Sequence, residues 1–210
     1  MFNKSYAKYY DLFNHDKPYK KEIEFVYKWA KKPDSIFDIG CGTGNYWEYY
    51  PQDTCIVGID KSKQMADIRG SIIHADITKY KHKSKFDCAT ALFDVVNYIP
   101  NHEWWKNLPL DEGGYWIFDC WDKTKVERDG FKETWKQVGS AFREIKPIRY
   151  CEDSVDLSIE VWDQNVHFKE IHTLYIYGYD DILKFCGDKF ELVEVRPTRT
   201  WQLWVKCRRK

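Results

Sequence analysis

Several things are scarce in this chain. Lys and Arg number 33, and so do Asp and Glu, so neither sign is in excess. Without a basic surplus, the electrostatic footprint of a nucleic-acid binder is missing. The closing "KCRRK" is basic but short and reads as a solvated end. No apolar run approaches the length of a membrane span. The opening "MFNKSYAKYYDLF" lacks the charged-then-apolar layout of a secretory leader. The seven cysteines, Cys41, Cys55, Cys88, Cys120, Cys151, Cys186 and Cys207, are odd in number and scattered, with no Cys-x-x-Cys. That speaks for reduced thiols and against a disulfide frame or a zinc knuckle. His167 and His172 lie five apart in an expected strand, so they face opposite ways and make a poor metal pair. No acidic cluster has ligand spacing, so no metal is expected. Repeats and low-complexity linkers are also lacking. The expectation is one cytoplasmic domain over residues 1–210, with no membrane and no nucleic-acid partner.

Aromatic residues, by contrast, reach 18% of the chain. They serve either a ring-rich core or an aromatic-walled pocket. Residues 1–32 are expected to form a helical lid. Within it, Tyr19–Ala30 places Ile23, Val26, Tyr27 and Ala30 at helical spacing, and Pro33 ends the pattern. Short apolar runs follow: "SIFDIG", "TCIVGID", "SIIHAD", "FDCATALF" and "GGYWIFDCWD". Helical stretches separate them: one from Asn45 to Pro51, one capped by Ser62 and closed by Gly70, and "NHEWWKNL" capped at Asn101. Continuous apolar strands alternating with helices predict an α/β, doubly wound, mostly parallel sheet covered on both faces.

Near residue 140 the pattern changes. "AFREIKPIRY", "DSVDLSIEVWDQ" and "VHFKEIHTLYIYG" alternate apolar and polar residues and predict an antiparallel β meander inserted over about 140–177. Its turns are expected near Cys151–Asp153 and Asp163–Asn165. Val155, Leu157, Ile159 and Val161 share one face, which this chain or a second copy must bury, so a homodimer through the meander is an open expectation. "YDDILKFCG" returns to helix with Gly187 at its end, and two strands over 178–210 close a seven-stranded sheet.

The stretch "SIFDIGCGTGNY" carries the chemistry. Gly40, Gly42 and Gly44 fall on alternate positions just after Asp38. Such a turn makes a tight corner, cradles a pyrophosphate, or seats an amino-acid head. Gly-x-Gly-x-Gly departs from the Gly-x-Gly-x-x-Gly of dinucleotide turns. An ionised Asp38 would repel a pyrophosphate but suit an ammonium, while the free N–H groups of a following helix suit a carboxylate. Asp60 ends the second strand about 20 residues after Gly40, where nucleotide folds place an acid for ribose hydroxyls. Asp76 ends the third strand, placed for an adenine amino group with Ile77 flat against the ring.

In these residues the chain resembles the class I S-adenosylmethionine-dependent methyltransferases. "FDIGCGTG", "VGID", "HADI" and "FDCATALFDVVNY" resemble their successive motifs. "YAKYYDLFNHDKPYKKE", "FDCWD" and "FKEIHTLYIYGYDDILKFCG" resemble a narrower bacterial group that includes aminosugar N-methyltransferases, so the likeness spans nearly the whole chain. The resemblance implies a Rossmann-like methyltransferase fold with a cofactor-binding core over 33–122, and S-adenosyl-L-methionine as cofactor. It implies cofactor contacts by Tyr19, Asp38, Gly40, Cys41, Gly42, Gly44, Asp60, Lys61, Met65, Asp76, Ile77, Leu92 and Phe93. Tyr10-Asp11 and Tyr19 match residues that close over the ligands, or else pack the lid onto the sheet. "FDVVNY" departs from the Asp/Asn-Pro-Pro-Tyr/Phe of nucleic-acid amino-methyltransferases, which argues for a small-molecule acceptor. The expected reaction is methylation of a small amine. The alternatives are oxygen methylation, or binding of the cofactor or its product without turnover. Candidate catalytic residues are Tyr10 and His172, with His102 behind them; His172 shares a strand face with Leu174 and Ile176 and also reads as a structural histidine.

Overall fold

The structure is a computed structural model and describes residues 4–100, 103–198 and 200–210. The elements in chain order are α1 (Lys4–Asn14), α2 (Tyr19–Trp29), β1 (Ser35–Ile39), β2 (Cys55–Asp60), α3 (Lys63–Arg69), β3 (Ile73–His74), β4 (Phe86–Ala91) and β5 (Leu110–Trp121). Then come α4 (Lys123–Asp129), β6 (Thr134–Val138), β7 (Ala141–Tyr150), β8 (Ser154–Asp163), β9 (Val166–Tyr175), α5 (Tyr179–Cys186), β10 (Phe190–Pro197) and β11 (Gln202–Arg209).

The expected seven-stranded sheet forms, in the order β10-β11-β5-β4-β1-β2-β3. β5, β4, β1, β2 and β3 run parallel, and β10 and β11 join as an antiparallel edge. The chain moves outward from β1 to β3 and then returns to build β4 on the other side of β1. Its direction therefore reverses between β1 and β4, and a crevice opens there at the strands' carboxyl ends.

Alternation along β5 explains why both faces are covered. Trp116, Phe118 and Cys120 enter one apolar cluster with Trp105 and Ile182, while Ile117 enters the other with Ile23, Val26 and Ile36. On the first face Trp105 meets Trp116, Phe118 and Phe185 edge to face, with centroids 4.8–5.7 Å apart. Each fully buried ring of this kind stabilises by about 1.5–3 kcal/mol. Much of the aromatic content is thus core.

The β meander is a separate antiparallel sheet in the order β6-β7-β8-β9. It has one strand more than the sequence pattern announces and begins at Thr134. "TWKQV" is largely exposed and polar, so no alternation betrays it. The turns fall where expected. Val155, Leu157, Ile159 and Val161 are buried within this chain, against α1 on one side and Trp121, Val126 and Leu174 on the other. The apolar face that invited a second copy is therefore already covered.

Other expectations change. The helix from Asn45 to Pro51 is one 3₁₀ turn at Trp47–Tyr49. Tyr46 and Tyr50 are drawn into the α2 cluster, while the Trp47 indole bonds Asp38, so the ring-rich segment is anchored in two directions. "NHEWWKNL" supplies a 3₁₀ turn at Glu103–Asn107 that buries Trp104 and Trp105; its expected cap Asn101, and His102, lie outside the described residues. α4 was not expected. Asp122 caps it by accepting from the Thr124 amide, but only Val126 is buried, too little to register as a helical period. α3 keeps its Ser62 cap and its left-handed Gly70. No helix among the described residues is long and apolar enough to cross a membrane.

Candidate active site

The crevice between β1 and β4 leads into a cavity of about 1060 Å³. Its floor is the glycine turn and the tips of β2 and β3, α1 covers one side, and the meander roofs it. The volume exceeds the range of about 300–1,000 Å³ usual for one ligand, so it has room for a cofactor and a second small molecule.

The floor must be glycine at its first position. Gly40 has φ +62°, and a Cβ there would stand 2.4 Å from the Val95 side chain. The Gly40 and Cys41 amides donate to the Ile59 carbonyl at 2.7 and 3.2 Å, and the Gly42 amide donates to Asp60 Oδ2 at 2.9 Å. Asp60 Oδ1 accepts from the Ser62 amide at 2.7 Å. Burial raises the Asp60 pKa, although these amides oppose the shift. At the tip of β3, Lys61 pairs with Asp76 at 2.7 Å, and Thr78 donates to the same carboxylate. Partial burial of Asp76 pulls its pKa upward, but Lys61 and Thr78 outweigh it and hold the group low.

Of the residues singled out from the sequence, Tyr10, Gly40, Gly42, Asp60, Lys61, Met65, Asp76, Ile77, Leu92 and Phe93 line this one cavity. The others stand behind it. Asp38 is 2% exposed, and its two oxygens accept from Trp47 Nε1 and Thr90 Oγ1, each at 2.8 Å. Burial pushes its pKa up to about 6. Asp38 thus braces the turn from beneath. Cys41 packs against Ala66 and Ile72, and Gly44 lies under Trp47 and Arg69. Tyr19 packs edge-on to Tyr46 at 5.0 Å. His172 is buried on β9, with Nδ1 3.2 Å from the Tyr98 hydroxyl and Nε2 2.9 Å from Glu170. It stands behind Tyr98, which lines the wall.

α1 is fastened to both halves of the site. Asp11 Oδ1 accepts from Thr43 Oγ1 at 2.7 Å and from Asn45 Nδ2 at 2.8 Å, beside the glycine turn. At the meander, Tyr9 donates to Asp163 at 3.1 Å, and Lys136 donates to the Phe13 carbonyl at 2.7 Å. Tyr10 is held over Gly42, and burial pushes its phenol well up.

After β4, sequence reasoning named Leu92 and Phe93 but passed over Asp94 and Asp119. Phe93 and Asp94 both sit at positive φ, 72° and 65°. Asp119, at 1% exposure, explains how: it accepts from the Phe93 amide at 2.6 Å and the Asp94 amide at 3.2 Å. Gln202 Nε2 then donates to Asp94 Oδ1 and Asp119 Oδ2, both at 3.0 Å. Burial raises both carboxyl pKa values, Asp119 well above its usual range, with Asp94 adding to the rise. Each group thus favours its neutral form more than a solvated carboxylate does. A signal existed, because Asp94 follows the tip of its strand much as Asp76 follows the tip of β3. Among the described residues no group of three or more His, Cys, Asp or Glu could hold a metal ion.

No model of a known protein family matches the chain. Over 158 residues it is 29% identical to an uncharacterized protein of Methanocaldococcus jannaschii, covering 66% of this chain. Over 115 residues it is 30% identical to a Geobacillus protein named "Putative methyltransferase GWCH70_2453", covering 47% of this chain. The chain spans 61% and 47% of those relatives' own length. Solved structures match it almost end to end. An S-adenosylmethionine-dependent methyltransferase from Clostridium acetobutylicum has a TM-score of 0.77 at 22% identity, covering 98% of both chains. The chain has the fold of the S-adenosylmethionine-dependent methyltransferases. With that methyltransferase fold also go the amino pentose methyltransferase CalS10 of Micromonospora echinaspora, at TM-score 0.77 and 18% identity over 100% of this chain and 98% of that one, and the sugar N-methyltransferase KedS8 of Streptoalloteichus, at 0.78 and 18% over 96% and 93%. In the methyltransferase fold the glycine turn and the strand-end acids of this chain occupy the usual crevice of open α/β sheets.

Proposed function

We propose that this protein transfers a methyl group from S-adenosylmethionine to a small molecule that carries an amine. The observation that carries the reading is one cavity lined together by the glycine turn, Asp60 and Asp94. The residues present suit the cofactor. Asp60 keeps lone pairs for a ribose diol beyond its two amide bonds, Ile77 and Met65 offer apolar contact to a base, and Gly40 and Gly42 let an amino-acid head approach the backbone. Lys61 must release Asp76 if that carboxylate is to meet an adenine amino group.

When bound, the cofactor supplies a methyl already activated on a sulfonium. What remains for the chain is mostly placement, which contributes up to about 7–11 kcal/mol in favourable cases. α1 and the meander close the cavity from above, which suits a small acceptor and excludes water. An amine arrives as an ammonium and must shed a proton. Asp94 faces the cavity, and its raised pKa brings it closer to the amine's own, which makes it a better base than a free carboxylate. The proton passes from the ammonium to the Asp94–Asp119 pair. Tyr98, backed by His172 and Glu170, gives the same wall a polar surface.

The test is calorimetry with S-adenosylhomocysteine, with NAD as control, followed by incubation with methyl-labelled cofactor and a panel of metabolites. Binding of the homocysteine compound but not NAD, with label on nitrogen, is expected. Tighter binding of NAD would overturn the cofactor assignment, and label on oxygen would overturn the amine.

A further inference from the structure

We propose that the roof of the cavity holds an anion subsite built around Arg143, so that the acceptor bears a carboxylate or phosphate as well as its amine. The word acceptor rests on the reading above; the anion site rests on the residues alone.

Arg143 lies on β7 two positions before Ile145, and both line the cavity. It differs from four other arginines of this chain. Arg69, Arg128, Arg149 and Arg196 each pair with a carboxylate. Arg143 has no carboxylate within 4.0 Å among the described residues, where every ion pair found involves other groups. Its Nη1 donates to the Tyr6 hydroxyl at 3.0 Å, and its guanidinium stands 5.0 Å from the centre of the Phe13 ring. Its Nε is out of reach of solvent and has no hydrogen-bond partner.

A guanidinium stays charged at any ordinary pH and offers five donors in a rigid fork. Leaving such a charge half-satisfied in an apolar roof is costly, and here Ile145, Leu157 and Ile159 surround the cavity side. The acids nearby are committed elsewhere: Asp76 to Lys61, Glu103 to Lys106, Glu170 to His172, and Asp94 with Asp119 to Gln202. An anionic group on the bound molecule satisfies the fork at low cost, because Tyr6 and Phe13 already hold the arginine in place. An amine alone would meet Asp94 and leave Arg143 unanswered. A molecule with both charges uses both walls.

The experiment follows the Arg143 Nε–Hε resonance in ¹⁵N-labelled protein titrated with inorganic phosphate and, separately, with succinate. Each titration is run with and without S-adenosylhomocysteine; Arg143→Gln and Arg143→Lys, which lack this resonance, are compared with the wild type through the backbone amide resonances of β7. One of the anions is expected to shift this resonance, and the tighter binder shows which anion the site is made for. Arg143→Gln should weaken it by about tenfold or more, as loss of a charge-assisted fork implies, with Arg143→Lys between. The proposal falls if neither anion moves the wild-type resonance, or if Arg143→Gln binds as tightly as wild type. The wild-type titration decides the matter even if a variant fails to fold. Failure of S-adenosylhomocysteine to bind would count against methyl transfer, while the unloaded titrations would still judge the anion site.

Discussion

Asp94 is held in a conformation that ordinary residues avoid, beside a second acid, Asp119, that accepts from its amide. Backbone strain of this kind costs on the order of 1–3 kcal/mol per residue and concentrates where a protein does its chemistry. Asparagine tolerates the same backbone and could donate to Asp119 instead of competing with it. Asp94→Asn is therefore expected to stabilise the fold by about 1 kcal/mol, as relief of a functional conflict does. At the same time kcat/KM on the labelled acceptor should fall by about 100-fold or more, the usual worth of a proton-accepting group. Thermal melts, turnover assays and S-adenosylhomocysteine affinity check this together. A melt that falls along with activity would make Asp94 a structural residue only.

At the scale of elements, α1 behaves as a clasp. One face is tied to the glycine turn through Asp11, and another to the meander, where Tyr9 meets Asp163 and the Phe13 carbonyl meets Lys136. Asp11→Ala removes the acceptor for Thr43 and Asn45, a loss of about 1–2 kcal/mol. Amide exchange over α1 should quicken by roughly 5- to 30-fold while β4 and β5 stay protected. Equal protection of α1 in the variant would show that packing alone seats it. The elements differ in how plainly they could be read. The parallel strands are continuous apolar runs, and α3 carries both its stop signals, Ser62 and Gly70, so these were legible. α4, with one buried residue, and β6, with almost none, announce nothing because tertiary contacts rather than pattern hold them. Trp47 was misread as helical because its indole serves Asp38. The glycine turn and the strand-end acids were legible from spacing. Asp119 was not, since an acid inside an apolar strand reveals its purpose only when Phe93 and Asp94 turn their amides toward it. Arg143 kept phase with Ala141 and Ile145 on the inward face, a signal that was present and passed over.

For the whole molecule, the buried acids set the response to pH. Asp38 is raised from 3.8 to about 6 by burial, so the native state holds its proton more tightly than the unfolded chain does. Between pH about 4 and about 6 the native state binds more protons, and stability falls as pH rises. Asp38 alone accounts for a loss of at most about 3 kcal/mol, complete above its native pKa. Asp60, Asp94 and Asp119 are raised in the same direction and act in the same sense. Asp76 and Asp156 are lowered, so what they contribute is lost only as pH falls below about 4, outside that window. Urea melts across pH 4–7 should show declining stability, and Asp38→Asn should flatten the decline; an unchanged slope in the variant would exclude Asp38 as its source. The span of α1's partnerships carries one more consequence. The residues it grips on the meander lie 123 to 154 positions further along. During synthesis this helix leaves the ribosome early and finds its seat late, after β6 to β9 have emerged. Until then the nascent nucleotide crevice stands uncovered, so a small metabolite could enter before the door is hung.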